Sequence, residues 1–447
     1  MQPVGRLGPV KSQPALLRIL GLGFGIAVVI GGVVGQGIMR TPGIVAGALP
    51  DGRIIIAAWF LGGLLAFIDS FASIELASAV PRAGGPYAFA ARAFGPLVGT
   101  IVGWSDWLKG MTVLGFQAVV FAEYVQRLKL PVRLPTGVLA VVLVGLVCGV
   151  NFLGTRVSGV SQNVGSALKA LALVALVVLF LAAGQATDVS PLAHRHALSL
   201  AGLIIAMRAV YTTYDGWSTA VYFGEELKAP ERNIARATFT GIAVVTVLYV
   251  LVNLGLLHVL STDQISASTL PAADAATAVL GGFGGTLITL LAVVSVAAIA
   301  NLQAMFLTRV AYGMARDGVM MRALARVARS GTPRFALFAT ALGGALFAAT
   351  GVYEHLIAIS VPLAITTNAA TDLAAIRLRL REPGLPRPFR MPLFPLPALL
   401  GLAINGALLV ALIIEDPVHS SLGLLLLMGI GAGYYVRSRW SKSSQAC

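Results

Sequence analysis

Apolar segments long enough to cross a bilayer recur along almost the whole of this chain, and few folds can accommodate them. A membrane-crossing helix takes roughly 20 consecutive, mainly apolar residues. Hydropathy and its breakers mark twelve such segments, approximately 17–49, 54–80, 96–126, 135–152, 163–184, 198–227, 237–260, 278–316, 333–352, 354–380, 393–415 and 418–437. Of the 447 residues, 57% are hydrophobic and 11% charged, against about 25% charged in ordinary soluble domains. Backbone N–H and C=O groups in hydrocarbon need partners within their own segment, so the segments read as helices. The expected fold class is an all-α integral membrane protein of twelve transmembrane helices. The stretch from Met1 to Arg18 is polar and basic, and the apolar run behind it is too long for a cleavable signal peptide.

The formal charge of +14 does not point to nucleic acid, because the basic residues are segregated. Loops on one side run from Arg6, Lys11 and Arg18 through Arg316, Arg322, Arg326 and Arg329 to Arg437, Arg439 and Lys442. The opposite side holds only Arg53, Arg127, Lys129, Arg133 and Arg195. This asymmetry follows the positive-inside rule and places both termini in the cytoplasm of a multi-pass protein in the cell (inner) membrane. The two cysteines are Cys148, inside a span, and Cys447, at the end. They supply no disulfide framework, so no disulfide-linked subunit is expected.

Two spans are interrupted. The first contains Gly31-Gly32-Val33-Val34-Gly35-Gln36-Gly37-Ile38, followed by Thr41-Pro42-Gly43. Glycine inside a helix costs about 1 kcal/mol relative to alanine, which is a poor choice for a simple anchor. A glycine-rich face for helix packing is the bland alternative. The sixth span repeats the anomaly at Tyr211-Thr212-Thr213-Tyr214-Asp215-Gly216-Trp217-Ser218-Thr219. The broken spans head two successive groups of five, and an odd number of crossings forces the second group to enter from the opposite side. The domain organisation expected is a tail at 1–16, a first repeat at 17–184, an inverted second repeat at 198–382, two further spans at 393–437 and a tail at 438–447. Interrupted segments at corresponding positions of two inverted halves mark a transporter's central site.

Several stretches resemble the amino acid–polyamine–organocation superfamily of permeases, nearest its L-type amino-acid-transporter-like bacterial branch. They are Gly35-Gln36-Gly37-Ile38 with Thr41-Pro42-Gly43, Glu75-Leu76 with Pro81-Arg82-Ala83-Gly84-Gly85-Pro86-Tyr87, and Tyr214-Asp215-Gly216-Trp217 with Glu225-Glu226-Leu227-Lys228-Ala229-Pro230. Met314-Ala315-Arg316-Asp317-Gly318 and Arg387-Pro388-Phe389-Arg390-Met391-Pro392 follow in order. The resemblance implies a LeuT-type five-plus-five inverted repeat with discontinuous spans 1 and 6, and sodium-independent amino acid transport by alternating access. It also implies that the substrate carboxylate meets backbone N–H groups around Gly35, Gln36, Gly37 and Ile38. The ammonium would meet carbonyls around Val33 and near Tyr211, Thr212, Tyr214, Asp215 and Gly216. Two departures stand out: Gln36 occupies a place usually held by a small hydroxyl residue, and Thr212, flanked by Tyr211, falls where an aromatic lid is common.

Charges within spans cost about 2.5–3.5 kcal/mol at a helix centre, so each calls for a reason. Lys169, alone in an apolar fifth span, matches a family lysine that takes the place of a sodium ion. Proton carriage and a fixed tether to span-1 carbonyls are its two candidate roles in coupling or gating. Asp215 is read as capping the half-helix after it, with a substrate ammonium as the alternative. Asp106 and Lys109 lie one helical turn apart and are read as neutralising one another, with a substrate role as the alternative. Asp69 and Arg208 carry no assignment. Arg40 lies beside the external vestibule, placed to attract anions or to pair with Asp51. His194-Arg195-His196 reads as a solvated loop rather than a metal site. Glu225 and Glu226 read as an interfacial ion-pair network with Lys228 and Arg232 rather than a catalytic pair. No catalytic motif, metal motif or cofactor-binding motif occurs, so no enzyme activity and no cofactor are expected.

The expected function is secondary transport of amino acids, with a lean to small neutral ones, driven by proton symport or exchange. Its partners are the amino acid substrate, the lipid bilayer and protons. A polyamine or organic amine transporter of the same fold is the alternative. A non-transporting amino acid sensor is another, disfavoured by terminal tails too short for an output domain.

Overall fold

A computed structural model of the chain describes residues 15–35, 37–128, 131, 134–183, 198–350, 353–415 and 417–443. His194, Arg195, His196 and Gln36 lie outside the described residues. The helices are α1 (Leu22–Val33), α2 (Gly37–Ala48), α3 (Gly52–Ala79), α4 (Pro86–Phe94), α5 (Pro96–Arg127), α6 (Thr136–Phe152), α7 (Thr155–Ala182) and α8 (Leu200–Thr213). A 3-10 helix (Trp217–Phe223) follows, then α9 (Pro230–Val259), α10 (Thr262–Ala267), α11 (Pro271–Leu280), α12 (Gly282–Arg316), α13 (Arg334–Ala349), α14 (Tyr353–Arg381), α15 (Leu396–Glu415) and α16 (Pro417–Ser443). A second 3-10 turn, Arg322–Ala325, lies between α12 and α13.

Helix ends follow local chemistry. Asp51 precedes α3 and its carboxylate accepts from the Arg53 N–H at 2.6 Å, while Ser199 caps α8 by accepting from the Gly202 N–H at 3.0 Å. Ser261 and Gln264 form a reciprocal capping box on α10. Proline opens α4, α5, α9 and α11, where its missing N–H costs nothing. The span expected over about 278–316 begins as a helix at Gly282. Gly281, at φ +65°, separates α11 from α12, because a positive φ cannot continue a right-handed helix.

Among the described residues, six helices are long and apolar enough to cross a membrane: α3, α5, α7, α9, α12 and most of α15. The α1–α2 pair passes the same test as one broken segment, bent by 46°. α3 packs on α9 and α5 on α12, with α1 and the first 3-10 helix between the two pairs. The centre holds large buried side chains, among them Trp59, Tyr214, Tyr249, Phe223, Arg309 and Lys169. The outer faces are apolar instead of polar: Leu146, Leu171, Phe283 and Leu346 are each more than 60% exposed. A surface of that kind is at rest only in lipid.

Candidate functional site

The first break lies between the end of α1 at Val33 and the start of α2 at Gly37. The last carbonyls of a helix and its first N–H groups lack intrahelical partners, and here side chains from other helices meet the carbonyls. Lys169 of α7, 1% exposed, donates from Nζ to Gly31 O at 3.0 Å and Val34 O at 2.9 Å. The Tyr249 hydroxyl of α9 donates to Val33 O at 2.8 Å. The expected meeting of a substrate ammonium with the Val33 carbonyl therefore encounters an acceptor already engaged by Tyr249. On the other side of the break, α2 begins at Gly37. N–H groups of the first turn of a helix point outward unpaired, with positive dipole character behind them, and that is where an anion is held.

In the second break α8 ends at Thr213, and Gly216 takes φ +113° before the 3-10 helix. The Asp215 carboxylate accepts from the Gly216 N–H at 2.8 Å, which fixes the turn locally. Thr219 closes it further by donating its hydroxyl to Gly216 O. The two breaks touch. A β-carbon on Gly216 would lie 2.5 Å from Gly32 O, and one on Gly32 would lie 2.8 Å from Gly216 O. Thr41 and Thr213 hydroxyls join at 2.8 Å across the same junction, and a β-carbon on Gly37 would lie 2.8 Å from Thr213 Cγ2. Glycine is required at Gly216 on two counts, the positive φ and the approach of another backbone.

The side chains singled out in these stretches divide into two sets. Tyr214 is buried, donates its hydroxyl to Trp59 O at 2.9 Å, and packs its ring against Trp59 and Tyr249. Tyr211 donates to Asp69 Oδ2 of α3 at 2.8 Å. Ile38 is fully buried and Gly35 is closed in by Ile299, whose Cδ1 would be 2.7 Å from an added β-carbon. These four are held by the surrounding scaffold. Thr212 and Asp215 are exposed, and Gly32, Gly37 and Gly216 are only partly buried, so the accessible part of the site is mostly backbone.

Several polar residues join the site without having been singled out. Ser166 donates to Ala27 O at 2.6 Å, and Gln162 donates to Ser166 at 3.1 Å. Asn301 of α12 donates to Gln162 at 3.1 Å and accepts from Asn151 of α6 at 2.8 Å. The signal was available: Gln162, Ser166 and Lys169 recur at spacings of four and three, one face of a helix. Asp106 and Lys109 pair at 2.8 Å, and Tyr222 also donates to Asp106 at 3.0 Å.

Ion pairs tie together the arginine-rich end of the bundle. Glu226 accepts from Arg309 at 2.7 and 2.9 Å, with both side chains buried. Glu225 pairs with Arg316 at 2.8 Å. The partners thus come from α12, more than 80 residues away, where Lys228 and Arg232 were expected. Asp317 receives Arg82 at 2.9 Å and the Tyr87 hydroxyl at 3.1 Å. Burial, and then the Asp317 carboxylate, push the Tyr87 phenol up. Glu75 gathers Arg379 at 2.5 Å, Arg387 at 3.1 Å and the Met391 N–H at 2.6 Å.

The family profile described as amino acid permease matches residues 25–433. The chain belongs to the amino acid permease family. Similar proteins include the serine/threonine exchanger SteT of Bacillus subtilis, 27% identical over 431 residues that cover 95% of this chain and 98% of the relative. The b(0,+)-type amino acid transporter 1 of Mus musculus is 26% identical over 432 residues, 94% of this chain and 88% of the relative. The Asc-type amino acid transporter 1 of the same species is 27% identical over 432 residues, 94% and 81% respectively. Together with the apolar helices, membership makes this permease a multi-pass membrane protein of the amino acid–polyamine–organocation superfamily.

Proposed function

We propose that this permease is a sodium-independent secondary transporter of amino acids in the cell (inner) membrane, working by alternating access. The observation that carries the reading is the junction of the two breaks at Gly32 and Gly216, with the Lys169 ammonium on the first break's carbonyls. The unpaired N–H groups of α2 receive the substrate carboxylate, and the turn at Thr212, Asp215 and Gly216 receives the ammonium. Asp106 and Lys109 neutralise one another, so no net countercharge is offered to a substrate side chain. That favours small neutral amino acids, and the names of the relatives, a serine/threonine exchanger among them, support the same class.

Twelve spans in a five-plus-five inverted repeat are part of this reading, supported by helix lengths. After the first break come helices of 28, 32, 17 and 28 residues, with α4 after the first of them. After the second come 30, 35, 16 and 29, with α10 and α11 at the same place. Both termini then face the cytoplasm. Energy comes from amino acid exchange or proton symport.

The test is a thermal-shift panel on the detergent-purified protein in sodium-free buffer. A ligand that binds only the folded state raises the unfolding temperature with its concentration. Serine, threonine or alanine is expected to do so and putrescine is not. A shift by amines alone would replace this reading with an amine transporter.

A further inference from the structure

Asp69 of α3 and Asp372 of α14 lie inside the bundle, outside the machinery described above. A β-carbon on Gly401 of α15 would sit 2.6 Å from Asp372 Oδ2 and 2.9 Å from Asp69 Oδ1. The absence of a side chain on α15 therefore leaves room for both carboxyl groups beside one backbone position. Asp372 is 4% exposed, and among the described residues no cation pairs with it and no donor reaches it. Asp69 has one donor, the Tyr211 hydroxyl, at 2.8 Å.

Among the described residues, no charge of opposite sign is paired with either carboxyl group. Asp215, the next charge facing Asp69, has the same sign. α15 carries no ionisable residue before Glu415, α9 none with a charge between Arg236 and His258, and α16 none with a charge between His419 and Arg437. On α3 and α14 the next charges, Glu75 and Arg379, satisfy each other, and Arg377 lies over the Phe94 ring. On α5, Asp106 is taken by Lys109, and Arg208 on α8 has a partner of its own. Two uncompensated carboxylates side by side in a membrane cannot both stay ionised. A proton shared between them removes one charge and supplies the donor that Asp372 lacks.

We propose that Asp69 and Asp372 form a proton-binding site that holds one proton between the two carboxyl groups. Tyr211 links that site to the second break, because the residue that donates to Asp69 sits two positions before Thr213, where α8 ends. Holding the proton leaves the pair with a single negative charge and keeps α3 and α14 together. Releasing it to water leaves two like charges, which drive the helices apart and pull on Tyr211 and the break. The pair is thus the proton site of the transport cycle, an inference that rests on the transport reading above.

The experiment is infrared difference spectroscopy of the reconstituted full-length protein across a pH series, with radiolabelled L-serine counterflow measured on the same vesicles. A protonated-carboxyl band is expected in the wild type at neutral pH and is lost in the double variant Asp69→Asn with Asp372→Asn. Each single variant, and Tyr211→Phe, moves the pH at which the band disappears, because the carboxyls titrate as one system. Serine counterflow depends on external pH in the wild type and loses that dependence in Asp372→Asn, and Asp372→Glu restores it. No such band in the wild type, a band unchanged in the double variant, or an unchanged pH response in Asp372→Asn would overturn the proposal. A band that behaves as expected in vesicles without serine counterflow would support the proton site and count against the transport reading.

Discussion

At the scale of single residues, Lys169 and Tyr249 do the same job from opposite sides. Each offers a side-chain donor to carbonyls that the interrupted α1 leaves over. Lys169→Ala strands two buried acceptors, each at a cost of about 1–3 kcal/mol, and opens a channel-like gap beside the break. Serine uptake is expected to fall to background, with an unfolding temperature lower than wild type in differential scanning fluorimetry. Tyr249→Phe removes one hydroxyl and keeps the ring. A loss of about 1–2 kcal/mol corresponds to roughly five- to thirty-fold weaker apparent substrate affinity, measured as the concentration for half-maximal uptake. The lysine was legible in the sequence because a lone charge in an apolar span needs a partner. The direction of Tyr214 was not, because it sits where α8 ends and the helical period stops, and the Asp69 partner of Tyr211 lies on another helix that no local pattern names. Tyr249 was hidden for a plainer reason: a tyrosine in an apolar helix is usually packing.

Among the elements, the breaks themselves were legible. Glycines and a polar cluster in otherwise apolar spans weaken continuous helix, and α2 and the first 3-10 helix start within a few residues of where those signs fall, although Gly31 and Gly32 stay in α1 and Pro42 stays inside α2. Their mutual contact was not legible, since no local pattern records that Gly32 and Gly216 meet. Gly216→Ala is expected to abolish uptake, because it places a β-carbon 2.5 Å from Gly32 O at a φ of +113°. Gly145→Ala in α6, with nothing within 4 Å of the new atom, is the control and leaves uptake and thermal stability near wild type. The acidic residues after the second break were also visible in sequence, but their partners lie on α12 and only the folded chain brings them together. Burial ranks the resulting pairs. Arg309→Met leaves the buried Glu226 unpaired, at a cost of about 3–5 kcal/mol. Arg316→Ala breaks a partly exposed pair, 30% and 21% accessible, at no more than about 1 kcal/mol. Thermal unfolding of the two variants would show the larger drop for Arg309→Met, and the reverse order would contradict the ranking.

For the whole molecule, the ion pairs fasten the arginine-rich end together. Arg18 donates to Glu225 O at 3.4 Å, and the strand-like pairing of Leu20 with Glu226 and Lys228 at 3.0 and 2.8 Å adds the segment before α1. The chain's start, the second break and the end of α12 are thereby fastened to one another. On the proposed transport reading, a substrate held at the Gly32–Gly216 junction would reach that side only when these pairs separate. The most direct measurement is counterflow in sodium-free proteoliposomes loaded with unlabelled L-serine, following the entry of radiolabelled L-serine. Wild-type protein is expected to accumulate label above empty liposomes, and Lys169→Ala and Gly216→Ala to accumulate none while remaining monodisperse on size exclusion. Absence of accumulation by the wild type for every amino acid tried, or full accumulation by both variants, would contradict a substrate site built from the two breaks.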